Sequence, residues 1–113
     1  MAIPKDLVAA SATPIILSIL SNGDSYGYAI IEEVRRASSG QLAWADGMLY
    51  PILHRIEKKG LVSSYYKTAE NGRKRKYYKL KQSGRHELAQ LRRHWTDLHN
   101  VLIGLEGERQ CFA

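Results

Sequence analysis

Four consecutive cations, Arg73, Lys74, Arg75 and Lys76, follow the turn dipeptide Asn71-Gly72 and run into two tyrosines in the segment ENGRKRKYYKL. The chemistry such a cluster offers is the neutralisation of phosphates. Each phosphate it neutralises releases counterions condensed on a nucleic acid, and that release favours binding. An inert solvated surface can carry the same residue types, so the rest of the chain has to decide between the two readings. From His54 to Arg93 there are thirteen Lys or Arg against three acids, Glu57, Glu70 and Glu87. That stretch therefore holds +10 in a chain whose total is +6, and the remainder carries −4. Basicity confined to one region is what a face for a polyanionic partner requires.

Other chemistries find little support. His86, His94 and His99 are eight and five residues apart, with no carboxylate completing a metal-like cluster, so no metal or cofactor is expected. There is no nucleophile elbow, no glycine-rich phosphate loop and no recognisable acid and base pair, and 113 residues are few for a closed catalytic cleft. The chain is read as a non-enzyme. Its lone cysteine, Cys111, has no disulfide or metal partner and reads as incidental, as in a cytoplasmic protein. The apolar run Pro14 to Leu20 is too short to cross a bilayer and lacks a basic n-region before it, so no membrane partner is expected.

The elements that must position the cations follow from periodicity. Leu7 to Leu20 has helical composition with Pro14 inside it, and SNGDS breaks the helix. Ser25 is placed to cap a second helix, YGYAIIEEVRRASSG, with Tyr28, Ile31 and Val34 on its inner face and Gly40 ending it. In ADGMLYPILHRIEKKG, Leu49, Ile52, Leu53 and Ile56 recur at i, i+3, i+4 and i+7, and Gly60 stands as the stop of a third helix. The period then changes toward two. LVSSYYK and KRKYYKL, joined through Asn71-Gly72, read as a β-hairpin. A last helix, from about Arg85 to Glu106, carries Leu88, Leu91, Trp95, Leu98, Leu102 and Leu105 at alternating spacings of three and four. That heptad seam, on a helix longer than so small a domain can cover, calls for a partner.

Three helices followed by a hairpin form the layout of a winged helix-turn-helix, so the fold class expected is mainly α with a β-hairpin wing and a long C-terminal dimerisation helix. The third helix then enters the major groove of double-stranded DNA. Tyr50, Pro51, His54 and Lys58 lie on its face opposite the core, with Arg55 at the margin. Tyr50 and His54 are candidates for base edges or thymine methyls, Arg55 and Lys58 for phosphates. The wing cations meet the backbone, and strand alternation predicts that Arg73 with Arg75, or Lys74 with Lys76, reach it together.

MLYPILHRIEKKGLV, followed by GRKRKYYKL and SGRHEL, with YGYAI on the second helix, resembles the signature of the PadR family of bacterial transcriptional regulators over nearly the whole chain. The resemblance implies a dimeric repressor that binds an inverted repeat in a promoter, lies at the nucleoid when bound, and is released by a small aromatic or phenolic molecule. The chain resembles the shorter branch, which includes multidrug-sensing members. In that branch a Trp at the place of Trp95 lines a pore at the dimer interface, and Leu91, Leu98 and His99 with Leu7 or Ala10 would form its walls. Tyr26 matches a family position that meets the DNA backbone. Met48, also in the candidate interface, stands where the family usually has Thr or Ser, so base contacts of other members do not carry over there. Lys81 stands where the family tends to have Thr, which passes the cap of the last helix to Ser83.

The expected organisation is a DNA-binding domain over 1–82, a dimerisation helix over 83–107 and a tail over 108–113. Two other readings fit the composition. A basic RNA-binding or ribosome-associated module should expose aromatic platforms, and alternation along the hairpin leaves too few of Tyr65, Tyr66, Tyr77 and Tyr78 for that. A dimeric adaptor working through the heptad helix alone would be indifferent to loss of Lys74 and Arg75.

Overall fold

The computed structural model describes residues 3–112. The elements are α1 (Lys5–Ser21), β1 (Ser25–Tyr26), α2 (Gly27–Ala37), α3 (Asp46–Lys58), β2 (Val62–Thr68), β3 (Lys74–Leu80) and α4 (Gln82–Phe112). This is the mainly helical, winged layout expected. One core joins all of it, formed by Ala12, Ile16, Leu17 and Leu20 of α1, Ile30 and Val34 of α2, the whole stripe Leu49, Ile52, Leu53 and Ile56 of α3, and Val62, Tyr78, Leu80 and Leu88. Leu42 and Trp44, in the link between α2 and α3, close its side.

Four local expectations are corrected. Ser25 does not cap α2; it pairs with Tyr78 in β1, and Tyr26 takes the N-cap position with extended backbone and no side-chain cap. The short strand arises because Ser25 and Tyr26 lie along the free edge of β3, giving a three-stranded sheet in the order β1-β3-β2 in place of a bare hairpin. On α2 the buried residues are Gly27, Ile30 and Val34, while Tyr28 is 67% exposed. The burial stripe starts one residue before the expected one because β1 fixes the rotation at which α2 begins. Ser83 lies inside α4 and gives its hydroxyl to the Gly60 carbonyl at 2.6 Å, tying α4 to the end of α3.

The hairpin connection is longer than a two-residue Asn-Gly turn. The Ala69 and Arg73 main chains close a loop of Glu70, Asn71 and Gly72, with Ala69 N–H donating to the Arg73 carbonyl at 2.8 Å. Gly72 has φ +83°, the left-handed conformation that a three-residue hairpin loop needs at its last position. The Asn71 side chain accepts from the Arg73 N–H at 3.1 Å and stiffens the tip.

α4 spans 31 residues, about 46 Å, and continues through most of the stretch read as a tail. Leu88, expected in the seam between two chains, is 3% exposed and belongs to the core of its own chain, and Leu91 packs against that core. Trp95, Leu98, Leu102 and Leu105 are 36%, 59%, 68% and 58% exposed. The heptad pattern thus serves two purposes along its length, intrachain at the start and open beyond Leu91. Cys111 lies where no side chain is described.

Candidate nucleic-acid interface

α3 turns its core stripe inward, which leaves Tyr50, Pro51, His54 and Lys58 exposed in a row on the outer face. Pro51 lies inside α3 and has no N–H, so the usual bond to the Gly47 carbonyl four residues earlier is not made. Tyr50 is 46% exposed and its ring rests on Gly27, the first residue of α2, which has no side chain to hold it off. Arg55 leans away toward α1 and donates to the Thr13 hydroxyl at 3.4 Å. Met48 is half-buried and packs against the core, so it contributes more to holding α3 than to its exposed row.

The wing is tied to the helical body on both faces. Tyr65 and Tyr77 are cross-strand partners, as are Tyr26 and Tyr77, and alternation puts all three on the outer face of the sheet with Lys67 and Arg75. The Tyr65 and Tyr77 rings stack at 5.7 Å, and Tyr26 meets Tyr77 edge-on at 5.2 Å. The Arg75 guanidinium lies 4.5 Å from the Tyr26 ring centroid and donates to the Tyr26 hydroxyl at 3.0 Å. Tyr65 donates its O–H to the Asp24 carboxylate at 2.7 Å, a bond that holds its proton and raises its pKa. On the inner face, Lys76 stands 3.9 Å from Glu57 of α3, which also accepts from the Ser64 hydroxyl.

The four wing cations are therefore not equivalent. Arg73 and Lys74 are exposed at the tip, whereas Arg75 and Lys76 are half-buried and held from opposite faces by Tyr26 and Glu57. Sequence reasoning missed Asp24, Gly27 and Glu57, because an isolated acid or glycine carries no periodic signal and acquires its role only from a partner distant in sequence. Of the hairpin tyrosines, Tyr65 and Tyr77 share the outer face as alternation predicts, and Tyr26 of β1 joins them; the three rings are engaged with one another and with Arg75. On the inner face Tyr78 is core, whereas Tyr66, also expected toward the helices as core, is 67% exposed because it lies toward the wing tip, beyond the helices.

A cavity of about 720 Å³ opens between α1, α2 and α4. Pro14, Ile15, Ile19, Val34 and Leu42 form its apolar walls, and Trp95 lines it together with Arg92, which donates to the Ser18 hydroxyl at 3.1 Å. Of the residues expected around an effector, Trp95 borders this cavity; Leu7, Ala10, Leu91, Leu98 and His99 lie outside it. Among the described residues no three His, Cys, Asp or Glu side chains converge as metal ligands, and no helix is long and apolar enough to cross a membrane.

The family pattern of PadR-like transcriptional regulators matches residues 16–90. A transcriptional regulator from Clostridium thermocellum is 32% identical and superposes with a TM-score of 0.80, covering 87% of this chain and 95% of that one. A PadR family transcription regulator from Clostridium difficile is 33% identical with a TM-score of 0.73, over 81% of this chain and 94% of that one. An uncharacterised protein from Lysinibacillus sphaericus is 29% identical over 91% of this chain and 95% of its own.

Proposed function

The chain belongs to the PadR-like family of transcriptional regulators, which are DNA-binding proteins and not enzymes, and we propose that it works as a cytoplasmic homodimeric repressor released by a small aromatic or phenolic effector. The observation that carries the DNA-binding face is the union of two surfaces, the exposed row Tyr50, His54 and Lys58 on α3 and the wing tip with Arg73 and Lys74. Tyr50 at Gly27 and Arg75 at Tyr26 tie both surfaces to the start of α2. A recognition helix and wing held at one spacing can meet a major groove and its flanking backbone together.

Dimerisation is supported by Leu98, Leu102 and Leu105, an open apolar row on α4 at heptad spacing. Two recognition helices related by a two-fold axis then suit an inverted repeat. Effector binding is supported by the cavity with Trp95 on its wall, a mainly apolar recess that also carries the Arg92 guanidinium and the Glu33 carboxylate. Because α4 contributes both the cavity wall and the seam, a flat ligand against Trp95 that preferred one angle between the paired helices would change the spacing of the recognition helices.

The test is a fluorescence-anisotropy titration against duplex from upstream of the protein's own gene and against a scrambled duplex, at two salt concentrations. Preference for the upstream duplex with two chains per site, lost on adding an aromatic ligand that quenches Trp95, is the expected result. Equal and steeply salt-dependent binding to both duplexes would overturn sequence-specific repression at that site.

A further inference from the structure

Tyr26 and Arg75 are separated by 49 residues yet form one unit. β1 is two residues long, and its register sets Tyr26 opposite Tyr77, two positions along the strand from Arg75 on the same face. The phenol ring then lies under the guanidinium, with 4.5 Å between the guanidinium carbon and the ring centroid, and the hydroxyl accepts one N–H at 3.0 Å. Tyr77 meets the same ring edge-on, at 5.2 Å between centroids. A guanidinium has five N–H donors, so four remain after this bond.

We propose that Tyr26 is a positioning residue for the DNA-binding wing: it holds Arg75 as a pre-ordered fork toward the phosphates and acts on DNA through Arg75. The inference rests on the DNA-binding reading and adds the route by which Tyr26 acts. A free arginine on a hairpin surrenders its rotamer freedom when it meets a phosphate, whereas one already laid on an aromatic ring and hydrogen-bonded has surrendered most of it. Arg73 and Lys74 have no such support and lose that freedom on binding. Lys76 is held too, but by the carboxylate of Glu57, which offsets its charge. Arg75 alone of the four is fixed by a neutral partner and keeps its full charge for a phosphate.

The test is a double-mutant cycle with Tyr26→Phe, Tyr26→Ala and Arg75→Ala, read by titrating a mixed-sequence duplex, since phosphate contacts form on any sequence. Arg75→Ala is expected to lower the slope of log affinity against log salt by about 1. Tyr26→Ala is expected to weaken binding by roughly two- to tenfold with the slope retained, because the cation remains and only its ordering is lost. Tyr26→Phe, which keeps the ring, falls between Tyr26→Ala and the wild type. In the Arg75→Ala background neither Tyr26 change has a further effect. Thermal melts of each variant report folding, and Tyr26→Phe keeps the test valid if Tyr26→Ala unfolds. In the free protein, the Arg75 Nε–H NMR signal is expected to carry a ring-current shift that survives in Tyr26→Phe.

An undiminished Tyr26 effect in the Arg75→Ala background would overturn the proposal, since Tyr26 would then touch DNA itself. An Arg75→Ala protein with wild-type affinity and slope would overturn it too, while leaving the repressor reading in place. Failure of the repressor reading shows separately, as equal binding to upstream and scrambled duplexes.

Discussion

The Tyr50 ring of the recognition helix rests on the backbone of Gly27: a Cβ added to Gly27 would stand 2.8 Å from the Tyr50 Cζ and nearer still to its hydroxyl. The atom in the way is the far end of an exposed side chain, so it can yield. Gly27→Ala is expected to keep the fold, costing no more than about 1.5 kcal/mol of stability as Tyr50 leaves its rotamer. Affinity for the upstream duplex should fall to the level of Tyr50→Ala. Thermal melting and anisotropy on the same samples check both halves.

Gly84 presents the opposite case. Its Cβ would overlap the Leu61 carbonyl and stand 2.5 Å from the Leu80 Cδ1, where α4 crosses the start of the hairpin. Neither α4 nor the Leu61 backbone can move without disturbing the bond from Lys81 N–H to the Leu61 carbonyl at 3.0 Å. Gly84→Ala is expected to destabilise by about 1–3 kcal/mol, the usual cost of overpacking. A lowered denaturant midpoint at unchanged slope is the readout.

Leu98 is 59% exposed and lies beyond the region where α4 packs on its own chain. Leu98→Arg would bury a charge in a paired seam while leaving the monomer core untouched, so sedimentation should show a folded monomer and upstream-duplex affinity should collapse. Leu91→Arg is the less clean variant, because Leu91 also packs against the core. A folded Leu98→Arg monomer that binds its duplex like the wild type would contradict the dimeric reading.

Tyr78 sits in the core at 3% exposure, and burial, reinforced by the nearby Glu57 charge, raises its pKa above the usual 10.0. A tyrosine whose folded pKa is raised keeps its proton longer in the native state than in the unfolded chain. Its contribution is therefore fully present below pH 10 and is lost as pH climbs from there through the folded pKa. Urea midpoints should hold level from pH 8 to about pH 10 and then fall. Tyr78→Phe should flatten that alkaline fall. Tyr65, tied to Asp24, has its pKa raised in the same direction and adds to the slope that Tyr78→Phe leaves behind.

What the sequence determined by itself was periodic. The stripe Leu49, Ile52, Leu53 and Ile56 repeats at the helical period, the wing strands alternate around a Gly72 turn, and each pattern survives because burial rewards it several times over within one element. The placement of positive charge was equally legible, since charge is a property of composition before any folding. Tertiary structure alone decided relationships made once, between residues far apart in the chain. β1 exists because the edge of β3 was free to receive Ser25 and Tyr26. Leu88 left the heptad seam because the core reached it first, and the wing cations split into two held and two exposed because Tyr26 and Glu57 arrived from different helices' ends. A single contact leaves no repeat in the sequence, so only the packed fold can show which of several equal-looking side chains makes it.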